Sequence, residues 1–180
     1  MCFYIHNHYC NIFIWQSGKI CLSCEPNFKL YVMEQFKIFN AVQKPDINQK
    51  NLIAEFLFDH LEEYGDKKED IIKAIDFSVK DSASFGGFTL LLQENSEPVG
   101  AVVVNQTGMS GYIPENILVY IAVHRNQRGK GIGKKLMKEA IRLAAGDIAL
   151  HVESDNPARF LYQNLGFQNK YLEMRLKKSS

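Results

Sequence analysis

The chain has 180 residues, 46% of them apolar and 23% charged, and carries a net charge of +1. That is an ordinary globular composition, long enough to bury one domain's core. Repeats and low-complexity tracts are absent, no apolar run is long enough to span a bilayer, and the charge gives no overall pull toward nucleic acid or membrane.

Residues 1–32 differ from the rest of the chain. They hold all four cysteines, the single tryptophan Trp15, and only three charged residues, Lys19, Glu25 and Lys29. Cys21 and Cys24 stand two residues apart near His6 and His8, but the spacing matches no common zinc motif, so no metal is expected. A basic n-region and small-residue cleavage pattern are lacking at the N-terminus. The remainder has no cysteine and reads as a cytoplasmic enzyme. The expectation is an N-terminal extension over 1–32, upstream of a natural start at Met33, and one domain over 33–180. A rival reading makes 1–32 a real extension, a hairpin over 3–32 that covers a sheet edge or mediates contacts in a homodimer; its aromatic and β-branched content suits a strand.

From Met33 the elements follow in order. Residues 34–42 read as a strand. Asp46 or Asn48 can cap a helix with Leu52, Phe56, Leu57 and Leu61 on one face, stopped at Gly65. A second helix is expected over 68–79, with Ile71, Ile72, Ile75 and Val79 aligned. Gly86 and Gly87 open a hairpin with strands at 88–93 and 99–105 and a turn at 94–98. A loop over 106–114 leads to an aliphatic strand at 117–123. A basic glycine turn at 128–135 precedes a helical pattern at 136–145. A strand at 148–153, a helix after Asn156 ending at Gly166, and a last strand at 170–177 complete the chain.

The turn Arg128-Gly129-Lys130-Gly131-Ile132-Gly133-Lys134-Lys135 carries the chemistry. Glycines let the backbone approach a ligand, and the first N–H groups of a helix point outward as donors. With the helix dipole and the basic side chains they suit a phosphate-bearing ligand. A dinucleotide G-x-G-x-x-G turn would need glycine where Lys134 stands. A P-loop would need glycine at Arg128 and Ser or Thr at Lys135. The pattern that fits is V-x-x-x-x-R-x-x-G-x-G, read as Val123, Arg128, Gly131 and Gly133.

This pattern resembles the pyrophosphate-binding motif of the GNAT (Gcn5-related) N-acetyltransferases. Residues 156–167 resemble the family's second signature, N-x-A-x-x-x-Y-x-x-x-G-F, through Asn156, Ala158, Tyr162, Gly166 and Phe167. The resemblance implies an α/β GNAT fold, a mixed central β-sheet with helices on both faces. It implies acetyl-CoA as co-substrate, held by Ile121, Ala122 and Val123 on a splayed strand, by Arg128, Gly129, Lys130, Gly131, Ile132, Gly133 and Lys134 of the turn, and by Asn156. It implies Tyr162 as the acid that protonates the departing sulfur. Family members often place a glutamate base on the strand where this chain has Ile117 and Val119. Glu115, Glu153, His124 and His151 lie nearby, and none stands out as the base.

The expected activity is transfer of an acetyl group from acetyl-CoA to a primary amine of a small molecule or peptide, with no nucleic-acid or membrane partner. The alternative is a catalytically weak acetyl-CoA-binding sensor or regulatory module. Acceptor choice is expected to depend on residues 52–79 and the loop 106–114. Glu62, Glu63, Asp66, Glu69 and Asp70 either attract a cationic amine or form a solvated helix face.

Overall fold

The computed structural model describes residues 6–7, 10–11, 33–176 and 178. The chain divides into two units, Met1–Tyr31 and Val32–Ser180. In the first, β1 (His6–Asn7) pairs antiparallel with β2 (Cys10–Asn11). The cysteine–histidine grouping and the hairpin expected over 3–32 otherwise fall outside the described residues.

In the second unit, β3 (Glu34–Phe39) lies at one edge of a five-stranded sheet. It stops three residues short of the expectation because the Asn40 side chain accepts from the backbone N–H groups of Val42 and Gln43 and turns the chain. Such local bonds compete with a strand ladder. Helix α1 (Ile47–Leu61) starts at a capping box: Asp46 accepts from Gln49 N at 2.8 Å, and the Gln49 side chain accepts from Asp46 N. The buried stripe is Ile53, Ala54, Phe56 and Leu57, while Leu52 is 41% exposed. The apolar face is thus rotated relative to the sequence reading. Asp46→Ala removes the cap and is expected to cost about 1 kcal/mol. That corresponds to roughly 2–4 °C in a thermal melt of a domain this size.

A 3-10 turn (Glu62–Tyr64) follows α1, and α2 (Lys68–Ser78) buries Ile71 and Ile75. Lys50 links the two helices to the following loop through Asp76 and Asp81, at 2.5 and 2.6 Å. Strands β4 (Gly87–Glu94) and β5 (Glu97–Gln106) form the hairpin. Its turn is tighter than expected: Asn95 and Ser96 both take positive φ, 49° and 72°, which suits a two-residue turn. Strand β6 (Asn116–Val123) pairs antiparallel with β5, and β7 (Ile148–Leu150) pairs parallel with β6. Helix α3 (Ile132–Leu143) joins β6 to β7 and begins four residues before the periodic pattern suggested. Helix α4 (Ala158–Asn164) follows β7.

The sheet order β3-β4-β5-β6-β7 is mixed. One core packs α1 and α2 against Phe39, Leu91, Ala101, Val103, Tyr120 and Ala122. The other packs α3 and α4 against Leu90, Leu92, Val102, Val104 and Leu118. Helices therefore cover both faces, as expected. The last strand does not form: residues 170–176 are described without strand pairing, and Leu172, Met174 and Leu176 are 86–93% exposed. β7 is only three residues long, half the length expected, and offers little edge for a partner. Alternation alone cannot supply the missing ladder.

Candidate active site

Two local irregularities open the site. Opposite β5, Tyr120 pairs with Val103 and Leu118 pairs with Val104, so Val119 is an extra residue, a β-bulge. A bulge bends the strand and reverses which face later side chains meet. Leu118 accordingly packs on the α3 side, while Tyr120 and Ala122 pack on the α1 and α2 side. On the other edge, pairing of β6 with β7 stops at Leu118 opposite Leu150. Beyond that point β6 has no strand neighbour on its β7 side among the described residues; along Ile121, Ala122 and Val123 the Val123 carbonyl accepts from Arg128 Nε at 3.5 Å.

A cavity of about 1050 Å³ fills this gap. Ile121, Ala122, Val123, Arg128, Gly129, Gly131, Ile132, Gly133, Lys134, Asn156 and Tyr162 all line it. Lys130 does not; its ammonium donates to Gln127 Oε1 at 2.7 Å. Gly131 caps α3 with φ 84°, a left-handed conformation that disfavours side chains. A Cβ there, or on Gly129, would meet nothing within 4 Å, so open space lies over the helix N-terminus. A Cβ on Gly133 would come within 3.2 Å of Leu161, so this glycine serves helix–helix closeness. The Lys135 N–H bonds Gly131 O at 3.0 Å, which starts the helical ladder and leaves the earlier N–H groups without helical partners.

The basic side chains divide by role. Lys134 lines the cavity and has no carboxylate partner among the described residues. Lys135 is ion-paired with Glu34. Arg128 donates to His60 O at 2.8 Å and to Glu62 Oε2 at 3.2 Å. Its guanidinium thus satisfies the C-terminal end of α1, a tie that the motif alone does not announce.

Asn156 Oδ1 accepts from Ala158 N at 2.8 Å and caps α4. Tyr162, 7% exposed, makes no hydrogen bond through its hydroxyl among the described residues. Burial pushes its phenol up to about 12. Of the base candidates, Glu153 and His151 line the cavity, and His151 Nε2 lies 3.5 Å from Glu173. Glu115 instead accepts from the backbone of Asp147 and Gly111, and these bonds hold its carboxyl below the usual range. His124 Nδ1 accepts from Asn126 N, and its ring lies tilted against His60, with ring centroids 4.5 Å apart.

Sequence reasoning missed Tyr64, Tyr120, Glu173 and Arg175, which also line the cavity. Tyr120 had a readable signal, as the one polar-headed residue in the aliphatic run Ile117–Val123. The loop 106–114, expected to shape acceptor choice, contributes nothing to the lining. No described helix is long and apolar enough to cross a membrane.

A mixed sheet split between its two parallel strands, with a helix N-terminus at the split, defines an α/β fold with an anion-binding gap. The comparisons identify the family: the chain matches Acetyltransferase (GNAT) family over residues 49–167, more than half its length, and belongs to it. Among solved structures it is similar to the aminoglycoside N-acetyltransferase AAC(6')-Iy in complex with CoA. That match has 11% identity and a TM-score of 0.60, covering 82% of this chain and 97% of that one. It is similar to a predicted acetyltransferase from Clostridium acetobutylicum solved with acetyl-CoA, at 14% identity and a TM-score of 0.58, covering 79% and 96%. It is also similar to the ribosomal-protein-S18-alanine N-acetyltransferase from Escherichia coli, at 14% identity and a TM-score of 0.57, covering 77% and 80%. No curated protein matches the chain.

Proposed function

We propose that the protein is an N-acetyltransferase that moves an acetyl group from acetyl-CoA to a primary amine of a small molecule or peptide. The observation that carries this reading is the split of β6 from β7 at Leu118 and Leu150, with Tyr162 and the α3 N-terminus in the same cavity. The open space over Gly129 and Gly131 fits a pyrophosphate, which the N–H groups of Ile132, Gly133 and Lys134 and the Lys134 charge would bind. The edge of Ile121 to Val123, without a strand neighbour among the described residues, suits the pantetheine amides, in the manner of an added strand. An N–H there also suits the thioester oxygen, whose negative charge grows in the transition state.

Tyr162 stays protonated at neutral pH, since burial holds its phenol at about 12. Transfer to a free thiolate, with a thiol pKa of roughly 8.5, is therefore uphill. Tyr162 acts as a hydrogen-bond donor while the C–S bond breaks, and solvent in the open cavity protonates the thiolate. A sensor without turnover would have no use for a hydroxyl placed there. The test is release of free thiol from acetyl-CoA in the presence of amines, together with the rise in melting temperature caused by acetyl-CoA.

We assign the transferase to residues 33–180 and place 1–32 outside it. Support comes from Met33, whose N–H and C=O both bond Asn95 in the β4–β5 turn, so the domain's contacts already begin there. A chain of residues 33–180 is expected to melt as the whole chain does and to keep its response to acetyl-CoA. A large fall in melting temperature or solubility would overturn the assignment.

A further inference from the structure

The cavity holds a polar pair that thioester binding does not use. The Tyr120 hydroxyl donates to Asp66 Oδ2 at 2.7 Å, and both residues line the cavity that Tyr162 faces. The bulge at Val119 brings Tyr120 there, by turning it toward α1 and α2 while Ile121 and Val123 pack on the α3 side. One strand therefore addresses two sides of the gap. Ile121 and Val123 face the side of the basic turn, and Tyr120 with Asp66 faces the opposite side. A nucleophile must reach the thioester carbon from a side that coenzyme A does not fill.

Within the pair the roles are unequal. Burial first, then the bond to Asp66 and its charge, push the Tyr120 phenol well above its ordinary range. Tyr120 is a donor only, and the carboxylate is the member able to accept a proton. The bond fixes one carboxylate oxygen and leaves Oδ1 without a partner among the described residues. Rival carboxylates in the lining are otherwise engaged or unguided. Glu62 pairs with Arg128, and Glu173 pairs with Arg175 and lies 3.5 Å from His151. No side-chain hydrogen bond orients Glu153 among the described residues. Arg175 is the cation whose charge reaches Asp66, although its own partner is Glu173.

We infer that Asp66, held in place by Tyr120, binds the acceptor nitrogen and takes its proton during acetyl transfer. This inference rests on the transferase reading. The amine nitrogen forms a C–N bond to the thioester carbon, and the C–S bond breaks. The nitrogen becomes acidic as it gains positive charge, so a carboxylate is basic enough at that moment. The N–H proton passes to Asp66, while Tyr162 hydrogen-bonds the departing sulfur, which takes its proton from solvent. Asp66 then returns its proton to solvent, leaving an N-acetylated amine and free thiol. Asp66 supplies the function that a carboxylate at position 117 or 119 would have served.

The test uses the whole chain, with acetyl-CoA and three probe amines: n-butylamine, 1,4-diaminobutane and triglycine. Thiol release and the melting shift caused by acetyl-CoA are read together. Asp66→Asn should lower kcat for the best probe by roughly 10²–10⁴-fold and leave the melting shift intact. Formate should restore thiol release in Asp66→Ala in proportion to its concentration, which a purely structural role would not allow. Tyr120→Phe should lower kcat less, through lost positioning of the carboxylate. An Asp66→Asn rate near that of wild type, an Asp66→Ala rate indifferent to formate, or a loss that instead follows Glu153→Gln overturns the inference. So does a wild-type protein that shows the melting shift but acetylates none of the probes. A wild-type protein without the shift refutes the transferase reading itself.

Discussion

Tyr162→Phe is expected to lower kcat by roughly 10²–10³-fold, the range for losing one hydrogen-bond donor to charge that develops in the transition state. The ring is 7% exposed and packs in the α3-side core with Phe167 at a ring distance of 6.0 Å, so phenylalanine keeps the packing. The hydroxyl has no protein partner to lose among the described residues. Acetyl-CoA affinity should therefore stay near wild type. The sulfur gains charge only on the way to the transition state, so kcat and kcat/KM should fall together. Steady-state thiol release over a range of acetyl-CoA concentrations checks this. An unchanged kcat, with chemistry rate-limiting, would remove Tyr162 from the mechanism.

Gly131→Asp is expected to abolish the melting shift caused by acetyl-CoA. At a ligand concentration a hundredfold above Kd, the wild-type protein should gain about 2.7 kcal/mol. For a domain of this size that is roughly 5–10 °C. The variant places a side chain and a negative charge in the open space over the α3 N-terminus, where the pyrophosphate would lie. An L residue at φ 84° is strained, by roughly 1–2 kcal/mol. An anion at a helix N-terminus is favourable and offsets part of that strain. The variant should therefore fold, and the missing response can be read on a folded protein. A wild-type shift in Gly131→Asp would place the ligand elsewhere.

The local elements were legible because their signals are local. The glycine turn, the Asn156 cap and the periodicity of α2 each sit within a dozen residues. The exact helical face of α1 was less so, since Leu52 and Ile53 are both aliphatic and only tertiary packing decides which one turns inward. The tail shows the converse failure: alternation over 171–176 with no partner strand among the described residues. Within the site, the turn and Tyr162 could be read from spacing, whereas Asp66 could not. It stands in a run of exposed acids, and only the path of the chain past β6 separates it from Glu69 and Asp70, which stay outside the cavity. Arg128 was legible as a motif residue but not as the tie to α1, because its partners lie 66 and 68 residues away.

The surplus residue in β6 bears on how this chain tolerates change. Substitution along Ile117–Val123 alters the lining of the gap by degrees. Removing a single residue near Val119 would instead restore an even register with β5. Half of the strand would then exchange its two faces, sending Leu118 toward α1 or Tyr120 toward α3. The opening is therefore encoded as an integer, a count of residues rather than a choice of side chains. A substitution in this strand is felt where it falls, while a one-codon deletion moves a whole half of the strand at once.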